Sequence, residues 1–89
     1  MINFHARVVA ESNSVTTAIN RSKKKYPRVE DVFSGLKWAL ARDPANGILA
    51  SNPYWVIKTA PSVAAGVPQI IALYRFDNDN VEIDAVKII

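Results

Sequence analysis

The side chains that could carry chemistry in this chain are few and mostly cationic. Lys58, Arg75 and Arg7 fall in strand-like stretches, with His5 two residues from Arg7. Arg and Lys bind phosphates, Arg through a bidentate fork. The same groups can stabilise the charge that develops on a phosphate during RNA cleavage. Each of them taken alone is an ordinary exposed charge; a site requires that they converge. Glu82 and Asp84 are two residues apart, so on a strand they share a face. Paired carboxylates do acid–base work or hold a metal, and they are more commonly the wet face of an edge strand. There is no glycine-rich phosphate loop and no Ser/His/Asp or Cys/His set. With no cysteine and a single histidine, disulfides, thiolate metal sites and imidazole clusters are excluded. No cofactor or metal is expected.

The elements that position these residues must come from 89 residues, which implies a single domain over 1–89 with a modest core. At 49% hydrophobic and 21% charged residues, the composition is that of a soluble globular protein. A net charge of +3 favours anionic partners only weakly. Its distribution is more informative. Residues 1–43 hold eight Lys/Arg against four Asp/Glu, whereas residues 44–89 hold three against four. No apolar run approaches the ~20 residues that span a bilayer. The opening residues lack the basic-then-apolar order of a signal peptide, so a cytoplasmic location is expected.

Residues 2–9 alternate, with Ile2, Phe4, Ala6 and Val8 against Asn3, His5 and Arg7, which reads as a half-buried strand. Ser12, Asn13 and Ser14 are candidate helix caps. Val15, Ala18, Ile19, Ser22 and Tyr26 then share one helical face, and Lys23, Lys24 and Lys25 make a cationic last turn that complements the helix dipole. Pro27 ends this helix. A second helix is expected over residues 28–43, with Glu30 and Asp31 in its first turn and Val29, Val32, Phe33, Leu36 and Leu40 as its core stripe. Asp43, Pro44, Asn46 and Gly47 stop it.

Residues 48–53 read as a loop or a short strand. Residues 54–60 read as a strand with Trp55, Ile57 and Thr59 on one face and Tyr54, Val56 and Lys58 on the other. The near-continuous apolar run of residues 67–76 suggests a central strand covered on both faces, with Arg75 on the side of Gln69, Ile71 and Leu73. DNDN at 77–80 is a hairpin turn of residues that tolerate the left-handed conformation. In the last strand Val81, Ile83 and Ala85 oppose Glu82 and Asp84. The expected fold is a two-layer α+β domain: a helical hairpin on a small, mainly antiparallel sheet, in the order βααβββ.

Trp38 lies off the core stripe, beside Ser34, Gly35 and Ala41. A tryptophan there needs cover. Either the first helix or the N-terminal strand supplies it, or Trp38 belongs to a partner surface together with the cationic corner of Lys24 and Lys25.

The element order, together with KKKYPRVEDVFSGLKWALARDPANG at 23–47, IIALYRF at 70–76 and VEIDAVKI at 81–88, resembles the RelE/ParE family of bacterial type II toxin–antitoxin toxins. The resemblance covers most of the chain. It implies a toxin neutralised by a cognate antitoxin that wraps it. RelE-like members are ribosome-dependent mRNA endonucleases, or mRNA interferases, that use basic residues on the sheet. By position, Lys58 and Arg75 are the counterparts of those residues, with Arg7 a third. ParE-like members inhibit DNA gyrase and cut no RNA. The ribosome-dependent endonuclease is the activity expected of this chain; a ParE-like gyrase inhibitor and a diverged, inactive protein-binding module on the same fold are the alternatives. The resemblance implies no membrane partner and no small-molecule cofactor.

Overall fold

The computed structural model describes residues 6–89. Chain order is β1 (Val8–Glu11), α1 (Asn13–Ser22), α2 (Val29–Arg42), a single 3-10 turn at Pro44–Asn46, β2 (Ile48–Ser51), β3 (Tyr54–Lys58), β4 (Ile70–Phe76) and β5 (Asn80–Ile88). The five strands form one sheet in the order β1-β5-β4-β3-β2. β1 runs parallel to β5, and the other three pairings are antiparallel. The domain is therefore mixed α+β, with one strand, β2, more than the expected βααβββ. No helix among the described residues is long and apolar enough to cross a membrane.

Ser12 opens α1, its side-chain oxygen accepting from the Val15 amide. The helix stops at Ser22, earlier than expected, and the three lysines lie in a turn beyond it rather than in its last turn. The Ser22 hydroxyl donates to the Ala18 carbonyl at 2.8 Å, a back-bond that competes with helix continuation. Tyr26 still packs on the core. α2 has no side-chain cap, and Glu30 and Asp31 in its first turn take that role electrostatically. Of its expected stripe, Val29, Phe33, Leu36 and Leu40 are buried, and Val32 at the edge is half-buried against the core.

Both helices lie on one face of the sheet. The core joins Val15 and Ile19 of α1 and the α2 stripe to Ile70, Ala72 and Tyr74 of β4 and Val81 and Ile83 of β5. The expected coverage of β4 on both faces does not hold. Its other face, with Ile71, Leu73 and Arg75, has no helix over it among the described residues, and Ile71 and Leu73 are only half-buried. β4 also begins later than expected, since Pro68 has no amide to give to a ladder.

At the N-terminal strand the phase differs from expectation. Val9, paired with Val81, packs on the core, and Val8 is 67% exposed. The doublet Val8–Val9 fits either parity, and pairing with buried Val81 decides it. The strand expected over residues 2–9, with Phe4 and His5, lies partly outside the described residues.

Where α2 turns into β2, the buried Tyr74 hydroxyl donates to the Pro44 carbonyl. Gly47 passes so close that a Cβ would overlap that hydroxyl and the Val56 carbonyl. This contact joins the helical layer to the β2–β3 end of the sheet. The hairpin between β4 and β5 is closed without any left-handed residue, contrary to expectation. Instead the Asp77 carboxylate accepts from the Asp79 and Asn80 amides at 2.8 Å each.

Candidate functional site

The uncovered face of the sheet carries most of the residues that could act on a ligand. Strand alternation and register place them. Lys58 of β3 is opposite Ile71 of β4, and Ile71 is opposite Lys87 of β5. With strands about 4.8 Å apart, the two lysine backbones stand roughly 10 Å apart on one rung. Neither lysine has an ion-pair partner among the described residues. Two such ammonium groups can converge on one anion between them. Toward the hairpin the next rungs are apolar, with Val56 and Leu73 paired and Ile48 beside Val56, 72% exposed.

Arg75 lies four residues along β4 from Ile71, about 13 Å away by strand rise. It is not a free cation. Its Nη2 is 2.6 Å from Glu82 Oε2 and its Nε is 3.4 Å from Asp84 Oδ2. Two carboxylates around one guanidinium leave that end of the face without net positive charge. The expectation that Glu82 and Asp84 share a face is met, since both reach Arg75.

Beside this triad a hollow of about 240 Å³ is lined by Pro53, Arg75, Phe76, Asp77, Asn80 and Glu82. The Asp77 carboxyl is held below its ordinary range, first by the Asp79 amide, then by that of Asn80. Asp77 therefore stays ionised to lower pH than an ordinary aspartate. Among the described residues no three His, Cys, Asp or Glu side chains gather in a way that could hold a metal.

Arg7 is elsewhere. Its Nε donates to the Asp77 carbonyl at 2.7 Å, and its guanidinium lies 5.7 Å from the Phe76 ring centre. Phe76 packs on the core beside Trp55 and Tyr74, so Arg7 is on the helix-covered side of the sheet. The structure thus brings Lys58 and Arg75 to one face but not to one point, and Arg7 to the other side. His5 lies outside the described residues.

Lys87 is the residue that strand alternation misses. By simple alternation it follows Val81, Ile83 and Ala85 toward the core. A bulge breaks the pattern: Tyr74 pairs with Ile83 but Leu73 with Ala85, so Asp84 is an extra residue. After it the faces exchange. Val86 and Ile88 pack on the core, and Ala85 and Lys87 turn outward. The signal was present as a change of phase in the apolar positions, from odd to even numbers.

In the cationic corner, Lys23 and Lys25 have local partners and Lys24 has none among the described residues. Lys23 pairs with Glu30 at 2.7 Å, and Lys25 lies 5.4 Å from the Tyr26 ring centre. Lys24 is exposed and has no ion-pair partner among the described residues. Trp38 is 61% exposed, so neither α1 nor β1 supplies its cover. The Arg42 guanidinium stacks on it, 3.7 Å from the ring centre. Comparisons of the chain with models of protein families, with curated proteins and with solved structures give no match.

Proposed function

We propose that this chain is the toxin half of a cytoplasmic toxin–antitoxin pair of the RelE/ParE type, and that it acts by binding its target rather than by cutting RNA. The toxin reading rests on the resemblance at residues 23–47 and 70–88. It is supported by an architecture of the kind the resemblance implies, a helical hairpin on one face of a meander with cations on the other face. The target on this reading is a protein such as DNA gyrase, and the antitoxin acts by covering the open face.

The observation that carries the non-nucleolytic reading is the Arg75–Glu82–Asp84 triad. A guanidinium already neutralised by two carboxylates adds little to the charge developing on a phosphate. The carboxylates also oppose the electrostatic term that dominates nucleic-acid affinity. One observation favours the endonuclease reading: the pair of Lys58 and Lys87, which could hold a phosphodiester without Arg75.

Expression from a tightly regulated promoter in a bacterial host separates the readings. Growth arrest is expected, with messenger RNA intact, protein synthesis continuing and DNA damage accumulating. Ribosome-dependent cleavage of messenger RNA, abolished by Lys58→Ala, would replace this reading with the endonuclease. Normal growth with soluble, folded protein would overturn the toxin reading itself.

A further inference from the structure

α2 has a second ordered face, opposite its core stripe. Asp31, Gly35, Trp38 and Arg42 recur at intervals of four, three and four residues, which places them in one stripe along the helix. Trp38 in the middle is 61% exposed. One turn before it, Gly35 faces open space, since a Cβ added there would meet nothing within 4 Å. Glycine in an exposed helix interior is less favourable than alanine. Nothing among the described residues requires it here, because none of them comes close to the helix at that point. A large, mostly exposed ring with Arg42 stacked on it, beside a notch of this kind, is the form of a helix–helix contact.

The stripe is also complementary to itself. The midpoint between Gly35 and Trp38 lies between Leu36 and Lys37, and so does the midpoint between Asp31 and Arg42. A two-fold axis through that point, relating two antiparallel copies of α2, brings each ring onto a notch and each cation opposite an acid at once. Neither charge is tightly held: Asp31 is 77% exposed and its contact with Arg28 Nε is long, at 3.8 Å, while Arg42, which stacks on the Trp38 ring, has no carboxylate partner among the described residues and hydrogen-bonds there to the Trp38 carbonyl at 3.2 Å. We infer that this face of α2 is the interface of a two-fold symmetric dimer of this chain, with Trp38 seated on the partner's Gly35 and Arg42 paired with the partner's Asp31. The occupant is a second copy because one axis satisfies both the shape and the charge pattern. A helix of 14 residues offers less than the roughly 1,000 Å² of a stable interface, so the dimer is a weak one. It leaves the open face of the sheet free and does not depend on what that face binds.

Sedimentation equilibrium of the full chain from about 10 μM to about 1 mM, the range suited to a weak interface, tests this. The mass is expected to rise from one chain to two across that range. Trp38→Ala and Gly35→Leu should each weaken the dimer by about tenfold or more. Asp31→Arg alone and Arg42→Asp alone should do the same by setting like charges opposite each other. The double variant Asp31→Arg with Arg42→Asp should restore association, which no general loss of stability can imitate. Should a single variant unfold, the double charge exchange and Trp38→Ala still decide the matter. Monomer throughout the range, a dimer indifferent to Trp38→Ala, or a charge exchange that fails to restore association would each overturn the inference. Trp38 would then be left for a different protein.

Discussion

The two faces of β4 are built from similar side chains and end in different environments. Ile70, Ala72 and Tyr74 are fully buried under the helices, while Ile71 and Leu73 are half-buried and Arg75 is exposed. Composition does not distinguish the faces, since isoleucine occurs on both. What distinguishes them is the partner layer: α1 and α2 present Val15, Ile19, Phe33, Leu36 and Leu40 to one side only. The covered face carries the stability of the domain. The open face keeps apolar area and cations that contribute little to folding and remain available for a ligand.

That contrast can be broken by paired truncation. Leu40→Ala removes a fully buried side chain from the α2 stripe and should cost about 3 kcal/mol. Leu73→Ala removes the same atoms from a half-buried site and should cost about 1 kcal/mol, since part of its area already faces water. Urea unfolding of the two variants measures the difference. Equal losses would mean that the open face is covered in solution.

A smaller effect is expected at the seam between the layers. Tyr74→Phe leaves the buried Pro44 carbonyl without its donor and should cost about 1–2 kcal/mol. The same residue adds a pH dependence. Burial, the largest cause, and the nearby Asp43 charge raise the Tyr74 pKa above its ordinary 10.0, and a contact with the Gly47 backbone partly offsets them. The unfolded chain therefore releases this proton first as pH rises. The stability tied to the neutral phenol is complete below pH 10.0 and is lost as pH climbs from there through the folded value. Thermal unfolding between neutral and strongly alkaline pH should show a loss in the parent that Tyr74→Phe reduces. Parallel profiles for the two proteins would remove Tyr74 as the cause.

Much of the covered face was legible in the sequence, and less of the open one. The core stripe of α2 follows from a 3.6-residue period and is buried except for half-buried Val32, and the alternation of Trp55 and Ile57 against Val56 and Lys58 holds in the sheet. The errors have two physical sources. One is tertiary: the near-continuous apolar run of β4 fits one covered face or two, and only the position of the helices decides. The other is register. The bulge at Asp84 reverses which residues of β5 face outward, which hid Lys87, and the Val8–Val9 doublet concealed the phase of β1. Convergence of Arg7, Lys58 and Arg75 was not legible, because it depends on the hydrogen-bond partners of Arg7 and the ion pairs of Arg75. Trp38 stood out because it lies off the period.

The smallest effect on stability is the most telling for function. Replacing Glu82 with Gln and Asp84 with Asn removes both carboxylates from Arg75 while keeping their shape. All three side chains retain contact with water, so the ion pairs contribute little to folding, and the double variant should unfold within about 0.5 kcal/mol of the parent. Its effect on anion binding should be larger. Arg75 becomes a free guanidinium on the same face as Lys58 and Lys87, and two negative charges that repel a polyanion are gone. Binding of single-stranded RNA, measured by fluorescence anisotropy at low salt, should strengthen by about tenfold, and the gain should shrink as salt is raised. Arg75→Ala in the double variant should cancel part of the gain, which assigns it to the released guanidinium rather than to net charge alone. If binding is unchanged, the open face does not engage the polyanion. The carboxylates around Arg75 would then matter as part of the surface presented to a protein.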